Sequence, residues 1–133
     1  MIIAICSSMA FAKEMIRAKN ELEALGHKVI IQHDVEMYAS GLVLEEDKWR
    51  KIEIDPFKVY FEEIKKADAI LVVNITKKQI ENYIGGNTLI EMAFAHILDK
   101  KIFLLNPTPN LSYADEIEAM KPIVLDGNLN NIK

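Results

Sequence analysis

Ala69-Ile70-Leu71-Val72-Val73-Asn74 is an almost unbroken apolar run that ends on a single amide. A strand with one wet face alternates apolar and polar residues, whereas continuous hydrophobicity over this length suits a strand covered on both faces, as in parallel sheets. The run reads as the central strand of an α/β fold. Working outward, Ile2-Ile3-Ala4-Ile5-Cys6 and Ile102-Phe103-Leu104-Leu105 read the same way. Between the first strand and the next, Phe11, Met15, Ala18, Leu22 and Leu25 recur at helical spacing, and Gly26 stands where a left-handed cap is wanted. His27-Lys28-Val29-Ile30-Ile31 then supplies β-branched residues for a second strand.

The later elements follow in alternation. The pattern predicts a helix over 57–66 before the central strand, a turn at Gly85-Gly86-Asn87, and a helix from Thr88 to Leu98 carrying Leu89, Met92, Ala93, Ala95 and Ile97. Tyr113 to Met120 fits a short helix, and Pro122-Ile123-Val124-Leu125 an edge strand, where a leading proline is tolerated. From Asp34 to Pro56 the pattern weakens, with scattered Met37, Tyr38, Leu42, Val43, Leu44 and Trp49, and is expected to form a partly helical insertion or lid. The tail from Asp126 is expected to be loose. Right-handed crossovers then favour a doubly wound, five-stranded parallel sheet in the order 2-1-3-4-5, flanked by helices, with ligands at the carboxyl ends of the strands beside the switch between the first and third.

Composition bounds the function. A chain of 133 residues, half of them apolar, fits one domain over 1–133 with one core. Its net charge of −4, from 16 basic and 20 acidic residues, and the absence of basic clusters with interleaved aromatics argue against polymeric nucleic acid as a partner. The single cysteine, Cys6, can form no internal disulfide and suggests a reducing cytoplasm. The opening apolar run lacks a basic flank and is too short for a span of about 20 residues, so neither secretion nor a membrane is indicated. His27, His33 and His96 show no metal-ligand spacing, and no metal or redox cofactor is implied.

Gly85-Gly86-Asn87-Thr88-Leu89-Ile90-Glu91 carries the chemistry. The glycines permit close approach of a ligand, Asn87 or Thr88 can cap the helix, and Glu91 is expected within its first turn, near the crevice. A carboxylate there can stabilise, or covalently trap, the oxocarbenium-like sugar formed when an N-glycosidic bond breaks. The simpler reading is a capping box in which Glu91 reaches back to the helix start, and spacing alone leaves both open. Ser7-Ser8 can offer hydroxyls to a sugar or phosphate oxygen or merely cap a turn. Cys6 has no basic neighbour in sequence and reads as a small core residue.

Several segments together resemble the nucleoside 2-deoxyribosyltransferase-like family, which includes the deoxynucleoside-monophosphate N-glycosidases. They are Ile2 to Met9, Glu23-Ala24-Leu25-Gly26-His27-Lys28-Val29, Ala67 to Asn74, and above all Thr88-Leu89-Ile90-Glu91-Met92-Ala93-Phe94-Ala95 with Lys100-Lys101-Ile102. The resemblance implies that Glu91 is the nucleophile in cleavage or transfer at the N-glycosidic bond of a small nucleoside or nucleotide. On this reading Ser7, Ser8 and Met9 line the sugar or phosphate side. Asn74 bonds the ligand from the central strand, and Gly86, Asn87 and Thr88 present polar groups at the helix entry. Asp34, Tyr38 and Trp49 are candidates for base contact or for the acid.

The sequence departs from that family at three places. Cys6 stands where the family often has glycine, and Gly85-Gly86-Asn87 is neutral where the transferases have an acid. Met9-Ala10-Phe11 follows the serine loop with no basic residue until Lys13, where phosphate-handling members tend to carry an arginine. Asp34 or Glu36 is the expected substitute acid. The resemblance also implies a homodimer or higher homo-oligomer, and Met92, Phe94 and Ile97 exceed what one helix face buries against a sheet. The alternatives are a nucleotide-binding or sensing module with little catalysis, a structural homo-oligomer with a vestigial pocket, and a phosphoribohydrolase of the cytokinin-activating type, whose glycine-rich, glutamate-ended motif is similar to Gly85 to Glu91.

Overall fold

A computed structural model describes residues 1–41 and 55–133. In chain order the elements are β1 (Ile2–Cys6), α1 (Ala12–Ala24), β2 (Lys28–Ile30), α2 (Val35–Ala39), α3 (Pro56–Lys66), β3 (Ala69–Val72), α4 (Gly86–Ile97), β4 (Lys101–Leu104), α5 (Ala114–Ala119) and β5 (Ile123–Val124). The described strands form one five-stranded sheet in the order β2-β1-β3-β4-β5, parallel throughout. The expected topology is the observed one. Register at the switch point pairs Cys6 with Val72, so the ends of β1 and β3 are level.

Because side chains alternate across a strand, the continuous apolar runs supply both faces of the sheet. Ile3, Ile5, Ala69, Leu71, Val73 and Phe103 pack with α1 and α2 on one side. Ala4, Cys6, Ile70, Val72, Ile102 and Leu104 pack with Tyr60 and Ile64 of α3, Met92 and Ala95 of α4 and Ile117 of α5 on the other. Cys6 therefore faces the side on which α3 and α4 lie. The α1–β2 turn forms as expected: Gly26 takes φ +95°, and His27 N–H reaches back to Leu22 O at 3.0 Å.

Two expectations change. The tail is not loose, because Leu129 is an apolar anchor that enters the core, Gly127 N–H bonds Leu105 O at 2.7 Å, and Asn131 Nδ2 donates to Leu125 O at 2.9 Å. Met92 is fully buried against the sheet rather than spare for a subunit contact. The outward apolar residues of α4 are Ile90 and Ile97, the latter 78% exposed, with half-buried Phe94 edge-on to Phe61 at 5.1 Å between ring centroids. Of the expected insertion, α2 and the start of α3 are described, and Trp49 lies outside the described residues. No described helix is long and apolar enough to cross a membrane.

Candidate active site

Glu91 lies on the face of α4 that packs over the ends of β1 and β3, and it is only 4% exposed. The helix begins at Gly86 with Gly85 as N-cap and no side-chain cap bond, so Glu91 falls in the second turn and not the first. That register rules out the capping box: Thr88 is inside the helix, 2% exposed, and Glu91 is too far along to reach the N-cap amide. A buried carboxylate needs polar partners. Gln32, just beyond β2, supplies one, its Nε2 donating to Glu91 Oε2 at 3.3 Å.

The Cys6 thiol supplies a second. Burial pushes it well above the ordinary thiol range, and the adjacent Glu91 carboxylate pushes it further, both by repelling a thiolate and by accepting the thiol's hydrogen bond. Cys6 thus stays S–H, in keeping with the core reading, yet it touches the carboxylate that the sequence singled out. Tyr60 completes this buried group. Its hydroxyl donates to Ile5 O and lies 3.3 Å from Ile30 O, tying the ends of β1 and β2 together from α3. Burial first, then the nearby Cys6, Glu91 and Glu63, holds its phenol well above the usual range.

The other expected site residues divide. Ser7 is buried and its Oγ donates to Val73 O at 2.6 Å, which fastens β1 to β3 at the switch point. Ser8 caps the short 3-10 turn that follows, accepting from Ala10 N–H at 3.3 Å. Met9 is half-buried and packs on the α1 side of the core, away from the face that carries Glu91. Asn74, expected to contact ligand, is engaged in structural hydrogen bonds. It is 0% exposed, its Nδ2 donates to Asn106 O at 2.8 Å and Pro107 O at 3.2 Å, and its Oδ1 accepts from Asn106 N–H at 2.9 Å. Asn106 Nδ2 returns a bond to Asn74 O at 2.9 Å, so the pair clamps the ends of β3 and β4.

Gly86 is exposed, and a Cβ there would meet nothing within 4 Å, leaving open space at the helix entry. Asn87 follows it inside the first turn rather than capping it. Asp34 precedes α2, half-buried and without a side-chain cap bond, and Tyr38 packs on the core from α2. Asp34, Tyr38, Asn87 and Glu91 each make at least one further interaction. His33 is exposed, and no cluster of His, Cys, Asp and Glu among the described residues could hold a metal. Sequence reading missed Gln32, Tyr60 and Asn106. Gln32 alone carried a signal, being a polar residue at the carboxyl end of a predicted strand.

This arrangement sets a buried, hydrogen-bonded carboxylate at the carboxyl edge of a doubly wound sheet, beside open helix-entry backbone. Such a group can act as a nucleophile or stabilise a cationic carbon. A structure of the 2-deoxyribosyltransferase from the psychrotolerant bacterium Bacillus psychrosaccharolyticus is similar to this chain, with 24% sequence identity over 78% of this chain and 71% of that one and a TM-score of 0.51. The chain thus has a nucleoside 2-deoxyribosyltransferase-like fold, as the sequence resemblance implies. No protein-family model matches it, and no curated protein matches it by sequence.

Proposed function

We propose that the chain cleaves or transfers across the N-glycosidic bond of a small nucleoside or nucleotide, with Glu91 as nucleophile. The observation that carries this reading is the burial of Glu91 at the switch point, held by Gln32 and Cys6, where a capping role is excluded. A carboxylate oxygen of Glu91 bonds to C1′ as the C1′–N bond breaks, and that bond's electron pair leaves with the base, which takes up a proton. Water or a second base then attacks C1′ and gives up a proton, and the ester's electron pair returns to Glu91. Thiol and amide suit this cycle, because neutral donors hold a carboxylate without pairing away its charge.

Domain unity over 1–133, a cytoplasmic setting and assembly into a homo-oligomer belong to the same reading. The apolar strip of Ile90, Phe94 and Ile97 supports the assembly. The neutral Gly85-Gly86-Asn87 turn favours one rival, a nucleotide-binding module with little chemistry.

The test is a panel of ribo- and deoxynucleosides and their 5′-monophosphates, followed for free base with the parent chain and with Glu91→Gln. Base release by the parent and none by a folded Glu91→Gln is expected. Binding without release supports the module, and release that survives in Glu91→Gln defeats the assignment.

A further inference from the structure

Gln32 stands 59 residues from Glu91 in sequence and just beyond β2, yet its amide meets the buried carboxylate on α4. The sheet explains the meeting. Ala4 pairs with Ile30, so two residues further along each strand Cys6 and Gln32 emerge together at the carboxyl edge, under the helix that carries Glu91. Tyr60 fixes this edge by bonding the carbonyls of both strands, so the donor is anchored to the sheet, not carried on a free loop. Resting on the nucleophile reading above, we propose that Gln32 is a positioning residue whose amide orients the Glu91 carboxylate and stabilises it as it leaves the sugar.

The second half of that role follows from charge. Oε2 is part of a carboxylate before attack, part of a neutral ester in the intermediate, and part of a carboxylate again on release. A donor fixed on Oε2 strengthens its bond as charge returns, which favours the transition state of the second step. A buried cation in its place would hold the carboxylate more tightly before attack and blunt it. The Cys6 thiol is held protonated, and Gln32 gives Glu91 an amide donor at the sheet edge.

Two measurements decide this. The first needs no turnover: ¹³C NMR titration of the Glu91 carboxyl in the parent and in Gln32→Met, a near-isosteric change that removes the donor. Its midpoint should move to higher pH, because a hydrogen bond to the charged form favours that form. Cys6 on β1 and Tyr60 on α3 are titratable groups beside Glu91, and both stay protonated through that range. An unchanged midpoint overturns the contact.

The second is kinetic. In Gln32→Met, kcat should fall about 10- to 100-fold, with KM unchanged or lower and more glycosyl-protein accumulating during turnover. In Gln32→Glu, turnover should survive only on the acid side, where the new carboxyl keeps a proton to donate. Parent-like kcat in Gln32→Met, or a parent-like pH profile in Gln32→Glu, overturns the positioning role. If the parent frees no base at all, the nucleophile reading fails, while the titration still decides whether Gln32 holds Glu91. If Gln32→Met melts early, the pH profile of Gln32→Glu decides in its stead.

Discussion

Removing the side chain of Asn74 should cost far more stability than removing that of Asn106, although the two residues bond each other. Asn74 contributes three side-chain hydrogen bonds, to Asn106 O, Pro107 O and Asn106 N–H, from a fully buried position. Asn106 contributes one from its side chain, to Asn74 O, and its remaining bonds are backbone. At about 0.5 to 1.5 kcal/mol for each bond, Asn74→Ala should lose roughly 2 to 4 kcal/mol and Asn106→Ala about 1 kcal/mol. With m near 2 kcal/mol/M, urea midpoints should drop by about 1 to 2 M and about 0.5 M respectively, at unchanged m. Equal losses, or a larger one for Asn106→Ala, would refute the clamp. Ligand-dependent protection that disappears only in Asn74→Ala would restore Asn74 as a substrate contact.

Three further outcomes are expected. Gly86→Asp, placed where a Cβ meets open space, should fold normally, whereas Gly85→Asp would crowd the Tyr83 hydroxyl at 3.2 Å. If a missing acid limits the chemistry, Gly86→Asp should raise base release by roughly 10²- to 10⁴-fold, and a folded variant with no gain, beside an inactive Asp34→Asn, would put the acid at the end of β2. Stability should fall above about pH 9, because Cys6 and Tyr60 keep their protons when folded while the unfolded chain loses them from the ordinary values of 9.0 and 10.0 upward. The slope should be ~1.4 kcal/mol per pH unit for each group, and urea midpoints of Cys6→Ala should begin to fall nearer pH 10; an onset unmoved in Cys6→Ala counts against the thiol's share. Light scattering at micromolar concentration should give a dimer or larger species that Ile97→Glu dissociates without unfolding, and a strictly monomeric parent contradicts the role of the α4 strip.

The sheet was legible because its strands are covered on both faces. Runs such as Ile2 to Cys6 and Ala69 to Val73 fit few other structures, and alternation with amphipathic helices fixed their order. Glu91 was legible as a residue but not as a geometry. Its place in the second turn depends on the helix starting at Gly86, two residues earlier than apolar periodicity predicts, because the glycine supplies no period of its own. Gln32 and Tyr60 were hidden for another reason. Each acts on groups from other elements, through a register that only the folded sheet defines. The tail misled because its composition is polar, while a single buried Leu129, with Asn128 capping the turn around it, was enough to dock it.

The most direct measurement of the central claim is peptide mass spectrometry on the chain rapidly quenched with a nucleoside or nucleotide from which it frees base. The expected result is a mass increase of one glycosyl group on the peptide containing Glu91, present in the parent, absent in Glu91→Gln and enriched in Gln32→Met. Steady release of base with no such adduct under conditions that trap glycosyl esters, or an adduct on another side chain, would contradict it.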